Sequence, residues 1–195
     1  MLILKARKNV TLKLSEEQRD ILLGCILGDG YITERGQIQV EQSALQRDYV
    51  LWKYEKLQSV SYGLPKQVIR IDRRNGQSTI AYRFWTRQFF RSWRKQFYPD
   101  GKKIFPNNLE VLSPISMAVW YMDDGHLMEK RRILLSTEGF DPESRSRIQE
   151  ALLRSFGIRS SVKANGKTLI GTKNTKLFIE RIKSFIVPSM TYKVP

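Results

Sequence analysis

Residues 21–32 read ILLGCILGDGYI, and residues 117–127 read MAVWYMDDGHL. Each is an apolar run closing on Asp-Gly, and the two aspartates, Asp29 and Asp124, stand 95 positions apart. A single run of this kind is often only a helix with a C-terminal cap; two of them in a chain of 195 residues suggest an internal duplication. The glycines of the first run sharpen that reading. Gly24 and Gly28 are four apart and share one helical face, where they cost helix propensity but let another helix approach closely. Two such helices packed on that face would bring Asp29 and Asp124 together at one end of the seam.

The flanking sequence repeats the same plan. Ser15 opens SEEQ, a capping-box pattern in which Gln18 can reach back, and Ser113 can cap a helix that has Pro114 at its first position. Each helix is followed by a strand signal, QIQVEQ and RRILLSTE. A helix follows in each half: Val50, Tyr54 and Leu57 form one apolar stripe ending near Gly63, and Ile148, Leu152 and Phe156 form another, begun by Asp141-Pro142 and stopped by Gly157. Two further strand signals come next, KQVIRIDRR with TIAYRFWT and SSVKANG with KTLIGTK. Each pair is joined through Asn-Gly or Gly-Gln. Phe89, Trp93 and Phe97 line a closing helix in one half, and Phe178, Ile182 and Phe185 line its counterpart. Each half finishes on a similar signature, KKIFP at 102–106 and YKVP at 192–195, and the offsets of 95 (29 to 124), 94 (63 to 157) and 90 (103 to 193) together indicate one unit used twice, with halves at 1–108 and 109–195.

Composition narrows the chemistry. Lys plus Arg number 34 against 19 Asp plus Glu, a net charge of +15 spread along the chain, which suits a polyanionic partner. No apolar run approaches the roughly 20 residues needed to cross a bilayer, and the opening MLILKARKN has its charges after its apolar segment, the reverse of a secretory signal. The expectation is an intracellular protein of bacterial cytoplasm or an organelle, mitochondrion or chloroplast, with no membrane partner. One cysteine, Cys25, and one histidine, His126, exclude an internal disulfide and an ordinary structural zinc site; Cys25 reads as a buried, inert thiol.

A helix C-terminus carries partial negative charge and unpaired carbonyls, so two carboxylates meeting at two such ends suit a hard cation. Oxygen-only ligation points to Mg²⁺, with Mn²⁺ able to substitute, and away from zinc. On a strongly basic protein such a cation suggests phosphodiester hydrolysis, in which it activates water and stabilises the leaving 3′ oxygen. The strands offer a recognition surface. In TIAYRFWT one face can pack on helices while the other meets DNA. Gln37, Gln39, Arg70 and Arg83 are candidate base-edge readers, and Arg131, Lys163 and Lys167 candidate phosphate contacts. His126 reads as a bystander, and RSWRKQF as a structural helix with a solvated face.

LLGCILGDG (22–30) and MAVWYMDDG (117–125) resemble the two signature motifs of the LAGLIDADG homing endonucleases in their single-chain form, and the likeness spans nearly the whole chain. The resemblance implies an α+β fold of two pseudo-symmetric αββαββα halves, each with a four-stranded antiparallel sheet, forming a DNA-binding saddle joined through the signature helices. It implies metal binding by Asp29 and Asp124 with the backbone carbonyls of Gly28 and Asp123. It also places Lys103 and Lys193 at the active-site lysine positions, and Glu41 and Glu138 where a polar residue orders water. Two departures stand out. Met122-Asp123 replaces the usual Asp-Ala, so two acids are adjacent, and Asp124 is assigned because Gly125 follows it as Gly30 follows Asp29. Val119 and Trp120 make the second helix bulkier, so the seam must be asymmetric.

The leading expectation is a monomeric, site-specific endonuclease cutting both strands of double-stranded DNA and leaving short 3′ overhangs. The alternatives are a maturase that binds its own intron RNA and assists splicing, or a DNA-binding protein without catalysis. Intact Asp29, Asp124, Lys103 and Lys193 speak against the last.

Overall fold

The computed structural model describes residues 2–5 and 11–195. A hairpin of β1 (Leu2–Lys5) and β2 (Thr11–Leu14) precedes α1 (Glu16–Leu27). The first half continues with β3 (Tyr31–Ile32), β4 (Ile38–Ser43), α2 (Arg47–Leu57), β5 (Ser61–Ile71), β6 (Ser78–Thr86) and α3 (Arg91–Phe97). The second half contains α4 (Pro114–Asp124), β7 (Gly125–Met128), β8 (Arg132–Leu135), α5 (Pro142–Phe156), β9 (Ser160–Val162), β10 (Thr168–Ile170) and α6 (Thr172–Ile182).

Local chemistry sets the signature helices. The Ser15 hydroxyl accepts the Gln18 amide at 3.1 Å while the Gln18 side chain accepts the Ser15 N–H at 3.2 Å, closing the expected capping box. Ser113 caps α4 by accepting the Ser116 N–H at 3.1 Å, with Pro114 at the first helical position. Their mutual approach depends on the glycines. A Cβ at Gly24 would stand 2.5 Å from the Ser116 carbonyl oxygen and 2.6 Å from Val119 Cβ, and one at Gly28 would stand 2.5 Å from Asp123 Cβ. The seam is therefore asymmetric as expected, small residues of α1 receiving large ones of α4. Cys25, Ile26, Trp120 and Met122 are fully buried around it.

Two four-stranded antiparallel sheets flank the seam, in the orders β3-β4-β6-β5 and β7-β8-β10-β9. The registers of their first hairpins agree. Tyr31 faces Gln39 and Ile32 faces Ile38; His126 faces Leu134 and Leu127 faces Ile133, the same pairs displaced by 95. Ile38, Val40 and Phe84 bury the inner face of one sheet, and Ile133, Leu135 and Ile170 that of the other. Asn75-Gly76 and Asn165-Gly166 make the hairpin turns, with Gly φ of +71° and +82°. This is the expected α+β architecture of two αββαββα halves.

The structure corrects several details. Gly157 ends α5 in the left-handed conformation (φ +69°), whereas Gly63 (φ +72°) lies at the irregular start of β5, beyond the end of α2 at Leu57. The offset of 94 is therefore a coincidence and not a mark of the repeat. The opening apolar residues, read only for targeting, are strand β1, whose Leu4 packs into the core with Leu12 and Leu14 of β2. Residues 6–10 of that opening stretch lie outside the described residues. No helix of the described residues is long and apolar enough to cross a membrane.

Enlarging Gly24 to alanine drives a methyl into a backbone carbonyl. It is expected to cost about 2–3 kcal/mol of folding stability in urea titrations, in the range for overpacked cores.

Candidate active site

The close packing of α1 and α4 makes both helix C-termini converge. Asp29 lies just past one, exposed, and Asp124 closes the other, half-buried. Burial, with the charges of Asp29 and Asp123 added, pushes the Asp124 carboxyl up to about 7, although Lys103 and Lys193 act against it. Each helix end also receives a lysine. Lys103 Nζ donates to the carbonyls of Gly28 at 2.6 Å and Leu27 at 3.2 Å. Lys193 Nζ donates to those of Met122 at 2.5 Å, Gly125 at 3.0 Å and Asp123 at 3.3 Å. The ammonium groups thus satisfy orphan carbonyls and meet the negative helix ends. Burial depresses both lysines below the ordinary range despite the neighbouring aspartates.

The adjacent acids separate cleanly. The Asp123 side chain is wholly buried and paired with Lys53 Nζ at 2.7 Å, so Asp124 is the accessible acid of the pair. Lys53 also sits 4.1 Å from the Tyr49 ring centroid. Burial opposes its charge, but Asp123 and the other acidic groups around it more than offset that, and the ammonium is held charged. Gln42 spans the seam, its Nε2 donating to Asp29 Oδ2 at 3.0 Å and to Asp123 Oδ1 at 3.1 Å. Sequence reasoning missed Gln42, Lys53 and the Asp123 side chain. A signal existed, since Lys53 falls on the same helical face as the apolar Val50 and Leu57.

Glu41 is on the outer face of its sheet, opposite Arg83 in the strand register, and accepts hydrogen bonds from Arg70 and Arg83. Gln39 approaches it at 3.4 Å, and Gln37 donates to the Thr86 carbonyl at 3.4 Å. Three of the four expected base readers of the first half, Gln39, Arg70 and Arg83, therefore gather around the Glu41 carboxylate, and Gln37 bonds apart from them. The cluster borders a shallow groove lined by Asp29, Gln39, Glu41, Gln42 and Arg70. In the second half Arg131 pairs with Glu129 at 2.9 Å, Lys167 with Glu138 at 3.5 Å, and Lys163 is exposed. Glu138 is not the counterpart of Glu41; the offset of 95 that relates the registers takes position 41 to Ser136. His126 is exposed on β7. The Cys25 thiol, fully buried, is pushed up to about 12 by that burial, as an inert thiol should be.

Among the described residues no cluster of three or more His, Cys, Asp or Glu side chains could hold a metal ion. The available donors are two carboxylates and the carbonyls of two helix ends. That oxygen-only set fits Mg²⁺ or Mn²⁺, and the upward push on Asp124, from burial first and from the charges of Asp29 and Asp123 second, is one that a bound cation would oppose.

A fold of two repeated halves meeting at paired acids, with a basic sheet surface alongside, defines a nuclease-like scaffold, and comparison with known proteins gives its family. The model of the LAGLIDADG DNA endonuclease family matches residues 19–178, and the chain belongs to that family. A solved structure of the homing endonuclease I-WcaI bound to its DNA recognition sequence superposes with a TM-score of 0.83 at 25% identity, over 94% of this chain and 88% of that one. The cytochrome b mRNA maturase bI2 of Debaryomyces hansenii is 28% identical over 95% of this chain and 76% of its own length. The uncharacterized protein MJ1098 of Methanocaldococcus jannaschii is 30% identical, over 93% and 74%.

The raised Asp124 carboxyl makes a stability prediction. Its folded value near 7 exceeds the ordinary 3.8, so the native state holds the proton more tightly, and stability falls as pH rises from about 4 to about 7. Asp124→Asn removes that penalty. In EDTA the variant is expected to melt higher than the parent at pH 8 and at nearly the same temperature at pH 4.

Proposed function

We propose that this chain is a site-specific homing endonuclease that hydrolyses both strands of a long DNA duplex with divalent metal ions, leaving short 3′ overhangs. The observation that carries the reading is the convergence of Asp29, Asp124, Lys103 and Lys193 at the ends of two packed signature helices. Asp29 and Asp124 would hold the cations, together with the carbonyls of Gly28 and Asp123. When bound, the metal supplies activation of water and stabilisation of the leaving 3′ oxygen. The protein's own groups do the rest. Lys103 and Lys193, depressed by burial, sit beside those carboxylates and can steady a phosphate's charge or exchange a proton near it. The pseudo-twofold relation of the two acids matches the antiparallel relation of two DNA strands.

Recognition falls to the outer sheet faces. Glu41 holds the Arg70 and Arg83 guanidinium groups in place on the free protein, and guanine edges or phosphates can take over those hydrogen bonds when DNA docks. Gln37 and Gln39 extend the same surface, while Arg131, Lys163 and Lys167 address phosphates from the other half. The net charge of +15 gives a strong, salt-sensitive attraction to any duplex, within which these contacts select the target.

The similarity to a maturase in Debaryomyces hansenii favours a second role, assistance in splicing of a host intron. Splicing assays of that intron with and without the protein separate the two.

Cleavage of a target chosen from a randomised duplex library tests the main reading. Asp29→Asn and Asp124→Asn are each expected to abolish cutting in Mg²⁺ while duplex affinity stays within a few-fold. Undiminished cutting by both variants would refute the assignment. Duplex affinity is expected to fall with salt at a log–log slope near −9, the value for about ten neutralised phosphates.

A further inference from the structure

The side chains of Lys53 and Asp123 take no part in the chemistry above, yet they form the most deeply buried ion pair among the described residues, 1% and 0% exposed. Two charges removed from water carry a desolvation cost, and apolar side chains of the same size commonly hold a fold as well or better. On α2, Lys53 lies on the same face as Val50 and Leu57, where an apolar residue would be the ordinary choice. Asp123 is set against Gly28, whose missing side chain leaves the room it occupies. Its Oδ2 has no hydrogen-bond partner among the described residues. Such an arrangement is poor economy for stability alone, so its neighbours matter.

Those neighbours lead directly to Asp29. Asp123 Oδ1 receives Lys53 Nζ at 2.7 Å and Gln42 Nε2 at 3.1 Å, and the same Nε2 reaches Asp29 Oδ2 at 3.0 Å. A primary amide has two hydrogens, and here each goes to a different carboxylate. Because ionised carboxylates only accept, the amide nitrogen must face both of them. Asp29 is thereby gripped by one oxygen, while its Oδ1 makes no hydrogen bond among the described residues. The pair also settles the charge count, since Lys53 cancels the acid that adjoins Asp124.

We propose that the buried Lys53–Asp123 pair is a positioning device for the active site: Lys53 fixes and neutralises Asp123 from across the seam, and Gln42 carries that fixed geometry to Asp29. Asp29 and Asp124 are then the two acids left to face an incoming divalent cation, while Lys103 and Lys193 are engaged with the helix-end carbonyls. Lys53, Asp123 and Gln42 act through Asp29 and touch neither DNA nor the reacting atoms through their side chains. Among the described residues the second half has no such device. Thr137 stands at the position related to Gln42 by the offset of 95, and its hydroxyl is spent on the Gly166 carbonyl and the Thr168 hydroxyl, at 2.8 and 2.9 Å. This inference rests on the metal-dependent reading above.

The test is calorimetric titration of Ca²⁺ into the full protein on its target duplex, with duplex affinity in EDTA and melting temperature measured alongside. Gln42→Leu and Asp123→Asn are each expected to weaken Ca²⁺ binding tenfold or more while duplex affinity in EDTA stays within threefold. Adding Lys53→Met to Asp123→Asn removes the stranded cation, and Ca²⁺ affinity is expected to recover at least threefold over Asp123→Asn. Unchanged Ca²⁺ affinity in both single variants, whatever happens to the melting temperature, overturns the inference and leaves the pair a structural contact. Should Asp123→Asn fail to fold, Gln42→Leu decides alone, because it strands no buried charge. A parent that neither binds Ca²⁺ nor cuts removes the metal-dependent reading and this inference with it. A parent that does both, with indifferent variants, removes only this inference.

Discussion

The contact between the two signature helices is the constraint on which everything else depends. Two glycines four residues apart let Val119 and Asp123 of the facing helix sit where side chains would otherwise be, as close as 2.5 Å to the positions their Cβ atoms would take. That approach makes the C-termini of both helices end side by side. Both ends carry partial negative charge and unpaired carbonyls, and both carry an aspartate, so a concentration of negative potential is built by backbone geometry before any functional side chain is considered. The flanking sheets follow from the same contact. Each is tied to its signature helix by a strand begun within a few residues of the acid, β3 at Tyr31 and β7 at Gly125.

Charge at the seam is balanced by group and unequal by half. Three aspartates, at 29, 123 and 124, face three lysines, at 53, 103 and 193. Lys103 and Lys193 occupy matching places at the two helix ends and act on backbone carbonyls. Lys53 has no counterpart and answers an acid present only in the second motif. Asp29 is therefore held by an amide, and Asp124 is left with an elevated carboxyl and no such donor among the described residues. The duplication has kept the register of its first hairpin to the residue while side chains beyond it have diverged into different roles, Glu41 against Ser136 and Gln42 against Thr137.

Much of this was legible in the sequence because it is local. The capping serines, Pro114, the Asn-Gly turns and the paired Asp-Gly helix ends each act through neighbours within four residues, and all stand where the pattern put them. Strands β3 and β7, with two and four residues, carry too little alternation to be read. The Gly63–Gly157 match misled because glycine serves a helix cap and a strand irregularity equally well. At the site, the acids and terminal lysines follow from motif position. The Lys53–Asp123 pair joins residues 70 positions apart through the fold, and only the oddity of a lysine in an apolar stripe pointed toward it.

The central claim is that Asp29 and Asp124 together hold divalent cations against DNA. It is tested most directly by anomalous diffraction from Mn²⁺ in crystals of the protein on its selected duplex. Peaks at ordinary ligand distances, about 2.0–2.2 Å for small hard divalent ions, from both carboxylates and from a backbone phosphate are the expected result. Mn²⁺ bound elsewhere, with both aspartates free of metal on a correctly docked duplex, would contradict it.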